Sequence, residues 1–188
     1  MNLIVSTDNQ NKLKEIKELV QGKLDVLSKA EAGFGHIHPM EDGSSLEENA
    51  IIKIKPLDGT IVIGDDTGLF VHALGGRPGI YSARYAGEDG NDAKNREKLL
   101  SEMDGKTDRR AYFKTVIAVK RDGSVYTVEG VCPGRIIEEP KGENGFGYDP
   151  LFVPEGYDKT FAEMTDEEKN SVSHRGRALR AFIASLNL

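Results

Sequence analysis

The sequence predicts an α/β fold with a mixed sheet, on three observations. Short apolar runs alternate with amphipathic stretches from the start of the chain, as in a β-α-β unit. Two long β-branched runs flank an Asp-Gly turn in the second half, and helical spacing returns in the last twenty residues.

In order, "LIVS" (3–6) reads as a short buried strand. "NKLKEIKELVQG" (11–22) reads as a helix, with Leu13, Ile16, Leu19 and Val20 at helical spacing and Gly22 as its stop. "KLDVLS" (23–28) is the second strand. A polar stretch, 32–45, leads into the helix "LEENAIIKI" (46–54), which Pro56 halts. "TIVIGDD" (60–66) is a strand, and the glycine-rich 68–90 is too irregular for one long element. "NDAKNREKLLSEM" (91–103) is a helix capped by Asn91. Residues 110–136 read as two or three antiparallel strands turning at "RDGS", and "LFV" (151–153) as another. Thr165 and Glu168 form a capping box before the terminal helical region, whose buried face is Leu179, Phe182, Ile183 and Leu186.

The 188 residues suit a single domain spanning 1–188, with no repeat or linker. A hydrophobic fraction of 38% supplies a core, and the absence of tryptophan makes that core chiefly aliphatic. A net charge of −6 argues against a nucleic-acid polymer as partner, though a local lysine cluster still suits a small anion. The single Cys132 permits no internal disulfide and reads as a buried small hydrophobe. With no signal-peptide core and no run long enough to span a membrane, a cytoplasmic, membrane-free protein is expected.

Four groups could carry chemistry, and each has a plainer alternative. "STDNQNK" joins a strand to a helix, so free N–H groups, Thr7, Asn9 and Lys12 could hold an anion; it is also what an Asn-capped connection looks like. Glu41, Glu47, Glu48, Asp65 and Asp66 supply hard oxygens suited to Mg²⁺, while Glu47 and Glu48 also suit a solvated helix face. A cap explains one aspartate after a strand but not the Asp65–Asp66 pair. In "NGFGYDPLF", glycines flank Phe146, which suits a flat ligand stacked on the ring and bonded to main chain, or a tight turn into the next strand. Lys169 with "SHR" (173–175) is a set of donors without a carboxylate in "SVSHRGR", or a basic helix surface. Together the four groups describe a nucleotide with a hydrolysable phosphate chain.

The segments "STDNQNKLKEI", "LEENAIIK", "GDDTGLFVHALGGRPGIYSARYAG", "GFGYDPLF" and "AEMTDEEKNSVSHRGRAL" resemble, in order and nearly end to end, the inosine triphosphate pyrophosphatase family. That resemblance implies an elongated central mixed sheet flanked by helices, two lobes with the active-site cleft between them, and a homodimer. It implies hydrolysis of ITP, dITP and XTP to the monophosphate and pyrophosphate, with Mg²⁺ as cofactor. Residues Thr7, Asp8, Asn9, Gln10, Asn11 and Lys12 would hold the triphosphate together with Lys53. Glu41 and Asp66 would hold the metal with Asp65 in support, and Asp66 would be the proton acceptor. Thr67 stands where a substrate-contacting hydroxyl is expected. Phe146, Gly147, Tyr148 and Asp149 would form the base pocket, completed by Lys169, His174 and Arg175. The chain departs from the pattern in the short "IKPLDGTIVI" before "GDD" and in His72. Two rival readings are a Maf-type pyrimidine nucleotide pyrophosphatase and a nucleotide sensor without turnover.

Overall fold

The computed structural model describes residues 1–87 and 90–187. Glu88 and Asp89, at the end of the irregular glycine-rich stretch, and Leu188 lie outside the described residues. The described residues form an α/β fold of seven strands and five α-helices, divided into two compact units.

The first unit comprises Met1–Asp66, Thr115–Gly130 and Arg175–Leu188. Strand β1 (Asn2–Val5) pairs in parallel with β2 (Asp25–Ser28), Leu3 opposite Val26, and with β3 (Ile61–Val71), Leu3 opposite Ile61. A parallel neighbour requires a crossover, supplied by helix α1 (Gln10–Val20). Helix α2 (Leu46–Ile54) ends just ahead of Pro56. Residues from β5 (Arg110–Arg121) and β6 (Ser124–Ile136) complete the order β2-β1-β3-β5-β6, and α5 (His174–Ser185) closes the chain. Leu3, Val5, Ile16, Ile61, Ile63, Ile117, Leu179 and Phe182 form the core, aliphatic but for Phe182. Asp122 and Gly123 both have positive φ, the torsions of a two-residue hairpin turn, so residues 110–136 make two strands rather than three.

The second unit comprises Thr67–Lys114 and Val131–His174. Here β3 continues past the expected end at Asp66 as far as Val71. Gly68 conceals that continuation in the sequence: a Cβ there would lie 2.6 Å from the Gly79 carbonyl oxygen, so the close approach of β4 (Pro78–Gly79) demands glycine in mid-strand. Strand β7 (Phe152–Pro154) pairs antiparallel with β6, Ile136 opposite Phe152. Helix α3 (Asp92–Met103) is capped by Asn91, whose side chain accepts from the Lys94 N–H. The core gathers Leu69, Val71, Leu99, Met103, Phe113, Phe152, Phe161 and the buried Cys132. Thr165 and Glu168 form the expected capping box of α4 (Asp166–Val172). The helical region then breaks at Ser173, whose backbone is extended. On α5 Leu179 and Phe182 are buried as read and Ile183 is half-buried, and Leu186, just past its end, is buried too.

Candidate active site

In the first unit, the carboxyl-terminal end of the β3 run "IVIGDD" delivers Asp65 and Asp66 among cations. Lys53, from the last turn of α2, brings Nζ to 3.1 Å from both Glu41 Oε2 and Asp66 Oδ1, and donates to the Asp65 carbonyl at 2.8 Å. Lys12, from the first turn of α1, lies 3.1 Å from Asp65 Oδ2. The Arg175 guanidinium reaches the same Asp65 oxygen at 3.2 Å and Glu15 Oε2 at 2.5 Å. The question raised by two adjacent aspartates is thereby answered in part: alternate strand positions point to opposite faces, so the two carboxylates meet different cations.

The charges shape one another's protonation. Burial favours the neutral form of Asp65, but Lys12, Arg175 and Lys53 outweigh it and hold the carboxyl well below its usual range. Burial pulls Lys12 down, Asp65 offsets this only partly, and Lys53 and Arg175 add to the fall. At Lys53 burial is outweighed by Asp66, Glu41 and Asp65, and the ammonium is held more firmly than in water.

The turn before α1 is a capped helix start. Asn9 Oδ1 accepts from the Asn11 and Lys12 N–H groups, at 3.0 and 3.1 Å, and Thr7 Oγ1 accepts from the Asn9 N–H. Asp8 does not face an incoming anion alone. Its Oδ2 lies 2.7 Å from the buried Lys29 ammonium and 3.2 Å from His38 Nδ1. Burial opposes ionisation of Asp8, and Lys29 with His38 more than reverses that. Thr7 is half-exposed, and Gln10 and Asn11 are exposed beside it.

In the second unit the loop "NGFGYD" folds on itself. Asp149 Oδ2 accepts from the Phe146 N–H at 3.1 Å and from Lys169 Nζ at 2.6 Å, with Lys169 only 3% exposed and 4.8 Å above the Phe146 ring. Gly145 is obligatory: φ is +72° and a Cβ would fall 2.1 Å from Asp149 Oδ2. Tyr148 is buried and donates to the Ser82 carbonyl at 2.6 Å. Burial first, then the negative field of Tyr85 and Asp92, pushes its hydroxyl above the ordinary tyrosine range. The His174 ring stacks on Phe113, centroids 4.5 Å apart. Thr67, half-buried, follows Asp66 directly on β3.

Two expectations change. A loop offering free main-chain donors is not what forms, because the Phe146 N–H is taken by Asp149 and the Gly147 N–H by Asp92, at 2.8 Å. The donor set at 169–175 does have carboxylate partners, brought from far along the chain: Asp149 for Lys169, and Glu15 and Asp65 for Arg175. Four residues escaped the sequence reading. Glu15 carried a signal, since it stands three residues after Lys12 beside the apolar stripe of α1. Lys29, Asp92 and Arg96 carried none, being ordinary charges at a strand end and on an exposed-looking helix.

Among the described residues no group of three or more His, Cys, Asp or Glu is arranged to hold a metal ion. The pair Glu41 and Asp66 nevertheless converges on a single ammonium, and a hard divalent cation needs only one or two protein carboxylates when phosphate and water complete its shell. In the array as a whole, Lys12, Lys53 and Arg175 face Glu15, Glu41, Asp65 and Asp66, leaving negative charge in excess. The donor set therefore fits a hard divalent cation better than it fits a bare polyanion.

Fold and side-chain chemistry define an α/β protein that sets lysines and carboxylates beside a strand-to-helix turn, the equipment for handling a phosphorylated ligand with a cation. The chain belongs to the Ham1 family, whose model matches residues 3–185. It is 45% identical over 190 residues to the dITP/XTP pyrophosphatase of Christiangramia forsetii, covering 100% of both chains. It is 49% identical over 184 residues to that of Bacillus subtilis, covering 94% of this chain and 92% of the relative. The Ham1 protein of Staphylococcus aureus has the same fold, with a TM-score of 0.87 at 41% identity, covering 100% of this chain and 98% of that one. For the dITP/XTP pyrophosphatase of Mycobacterium abscessus the TM-score is 0.76 at 39% identity, with 97% and 98% covered.

Proposed function

We propose that the protein hydrolyses the non-standard purine nucleoside triphosphates dITP, ITP and XTP to the monophosphate and pyrophosphate. The observation that carries this reading is the array in which Lys12 and Lys53 are threaded among Asp65, Asp66 and Glu41, within a chain related over its length to dITP/XTP pyrophosphatases.

Glu41 and Asp66 would hold Mg²⁺, with Asp65 in support by fixing Lys12. When bound, Mg²⁺ neutralises phosphate oxygens and screens the attacking water from their charge. The turn Thr7–Lys12 and Lys53 take the triphosphate by exchanging carboxylate partners for phosphate oxygens. Asp66 accepts the proton of a water whose oxygen bonds to the α-phosphorus. The bond from that phosphorus to the α,β-bridging oxygen breaks, pyrophosphate departs, and Lys12 and Lys53 offset the charge it gains. Thr67 contributes a hydroxyl to the substrate. Phe146 offers a stacking face, and Lys169 with His174 forms the polar side of the base pocket, with Tyr148 and Asp149 holding the loop. Arg175, bonded to Asp65 and Glu15, steadies the carboxylate that holds Lys12. A 6-oxo purine presents an acceptor where adenine presents an amino group, so a donor-lined pocket separates them.

No helix among the described residues is long and apolar enough to cross a membrane. A cytoplasmic location is proposed from the sequence, and a homodimer on the family resemblance. The deciding experiment is product analysis with ITP, XTP, GTP, ATP and UTP, with Mg²⁺ and with EDTA. Monophosphate plus pyrophosphate from ITP and XTP, abolished by EDTA, is expected. Preference for UTP would favour the pyrimidine enzyme, and binding without turnover a sensor.

A further inference from the structure

Helix α3 presents three polar side chains on one face, at i, i+3 and i+4. Asn95, buried, accepts from the Ala86 N–H at 2.8 Å and donates to the Ala83 carbonyl at 3.0 Å. On either side of it, two half-buried charges take hold of one glycine. Asp92 Oδ2 accepts from the Gly147 N–H at 2.8 Å, and Arg96 Nη1 donates to the Gly147 carbonyl at 2.7 Å.

The N–H and carbonyl flank a single Cα, so the two bonds fix both torsions of Gly147, whose φ is +60°. Glycine is the residue least able to hold such a conformation by itself. Its neighbours are Phe146, under the Lys169 ammonium, and Tyr148, tied to Ser82. Both bonds are charge-assisted and so are stronger than the neutral bonds of an ordinary turn.

We propose that Asp92 and Arg96 are specificity-determining positioning residues: by clamping Gly147 they set the pose of Phe146 and Tyr148, and so decide which purines are accepted, without touching the base. The proposal rests on the reading of this loop as the base pocket. A small reorientation of a stacking ring alters how well a 6-oxo base meets its donors, while the phosphate chemistry of the first unit is unaffected.

The test compares wild type with Arg96→Met, Arg96→Lys and Asp92→Asn in two assays. One is the ratio of kcat/KM for ITP to that for ATP. The other is deuterium uptake by peptides covering 144–151, with a peptide covering 116–119 as control. Arg96→Met is expected to lower the ITP:ATP ratio about tenfold, and Arg96→Lys, which keeps one donor, by much less. Uptake at 144–151 should rise in Arg96→Met and in Asp92→Asn while the control stays constant. If wild type selects ITP and Arg96→Met selects it equally well, or loses activity alike on every nucleotide, the clamp is overturned alone. If wild type turns over none of these nucleotides, the pyrophosphatase reading fails and the clamp's role in selection falls with it.

Discussion

Asp66 and Asp65 are neighbours in sequence with opposite fates. Asp66 shares Lys53 with Glu41 and is 9% exposed, whereas Asp65 is held by Lys12 and Arg175. Asp66→Asn keeps the shape and removes the charge, so kcat should fall about 10²–10⁴-fold with little change in the unfolding midpoint. Asp65→Asn should instead cost stability, about 3–5 kcal/mol, because it leaves buried cations without their partner. The sign of its pH dependence follows from the lowered carboxyl. Stability gained from Asp65 is present in full above its unfolded value of about 3.9 and is lost as pH falls through the lower folded value. The gap between wild type and Asp65→Asn in urea midpoint should therefore persist at pH 5 and shrink only in strong acid. The acid pair was legible in the sequence because two carboxylates after a strand need compensation. The Glu15–Arg175 pair that braces it, 160 residues apart, was not, because no local pattern records a pairing made by the folded chain.

At the scale of elements, legibility followed periodicity. The helices at 46–54 and 92–103 and the box at Thr165 announce themselves through caps and spacing, which are local. Strand β3 was read five residues short because Gly68 interrupts its pattern for the sake of the β4 backbone. The loop 144–149 was recognisable as a tight, glycine-flanked turn, but its internal bonds were not, since a turn's hydrogen bonds depend on which way each peptide faces. Gly145→Ala tests that loop. The left-handed backbone costs about 1–2 kcal/mol with a side chain, and the added methyl displaces the Asp149 carboxylate from Lys169 and the Phe146 N–H. kcat/KM for ITP should fall more than kcat, with the loss confined to substrate handling.

For the whole molecule, the net charge of −6 and the carboxylate excess around Lys12 and Lys53 predict that nucleotide alone binds poorly. A non-hydrolysable α,β-substituted ITP analogue should raise the melting temperature with Mg²⁺ present. At a hundredfold excess over Kd that amounts to about 2.7 kcal/mol, and EDTA should remove most of it. An equal shift with and without Mg²⁺ would take the cation out of the binding step.

The chain moves from one unit to the other after Asp66, Lys114, Gly130 and His174, so neither unit is a continuous stretch of polypeptide. This orders events during synthesis. Leu3 and Val5 leave the ribosome well before the Leu179 and Phe182 side chains that seal their core. The second unit's segments are all translated before Arg175, and the first unit must wait for the residues beyond it. Folding of the first unit thus waits for the residues from Arg175 onward, and its β-α-β segment spends the synthesis of the intervening chain with its apolar side uncovered, an interval in which a nascent chain needs a chaperone.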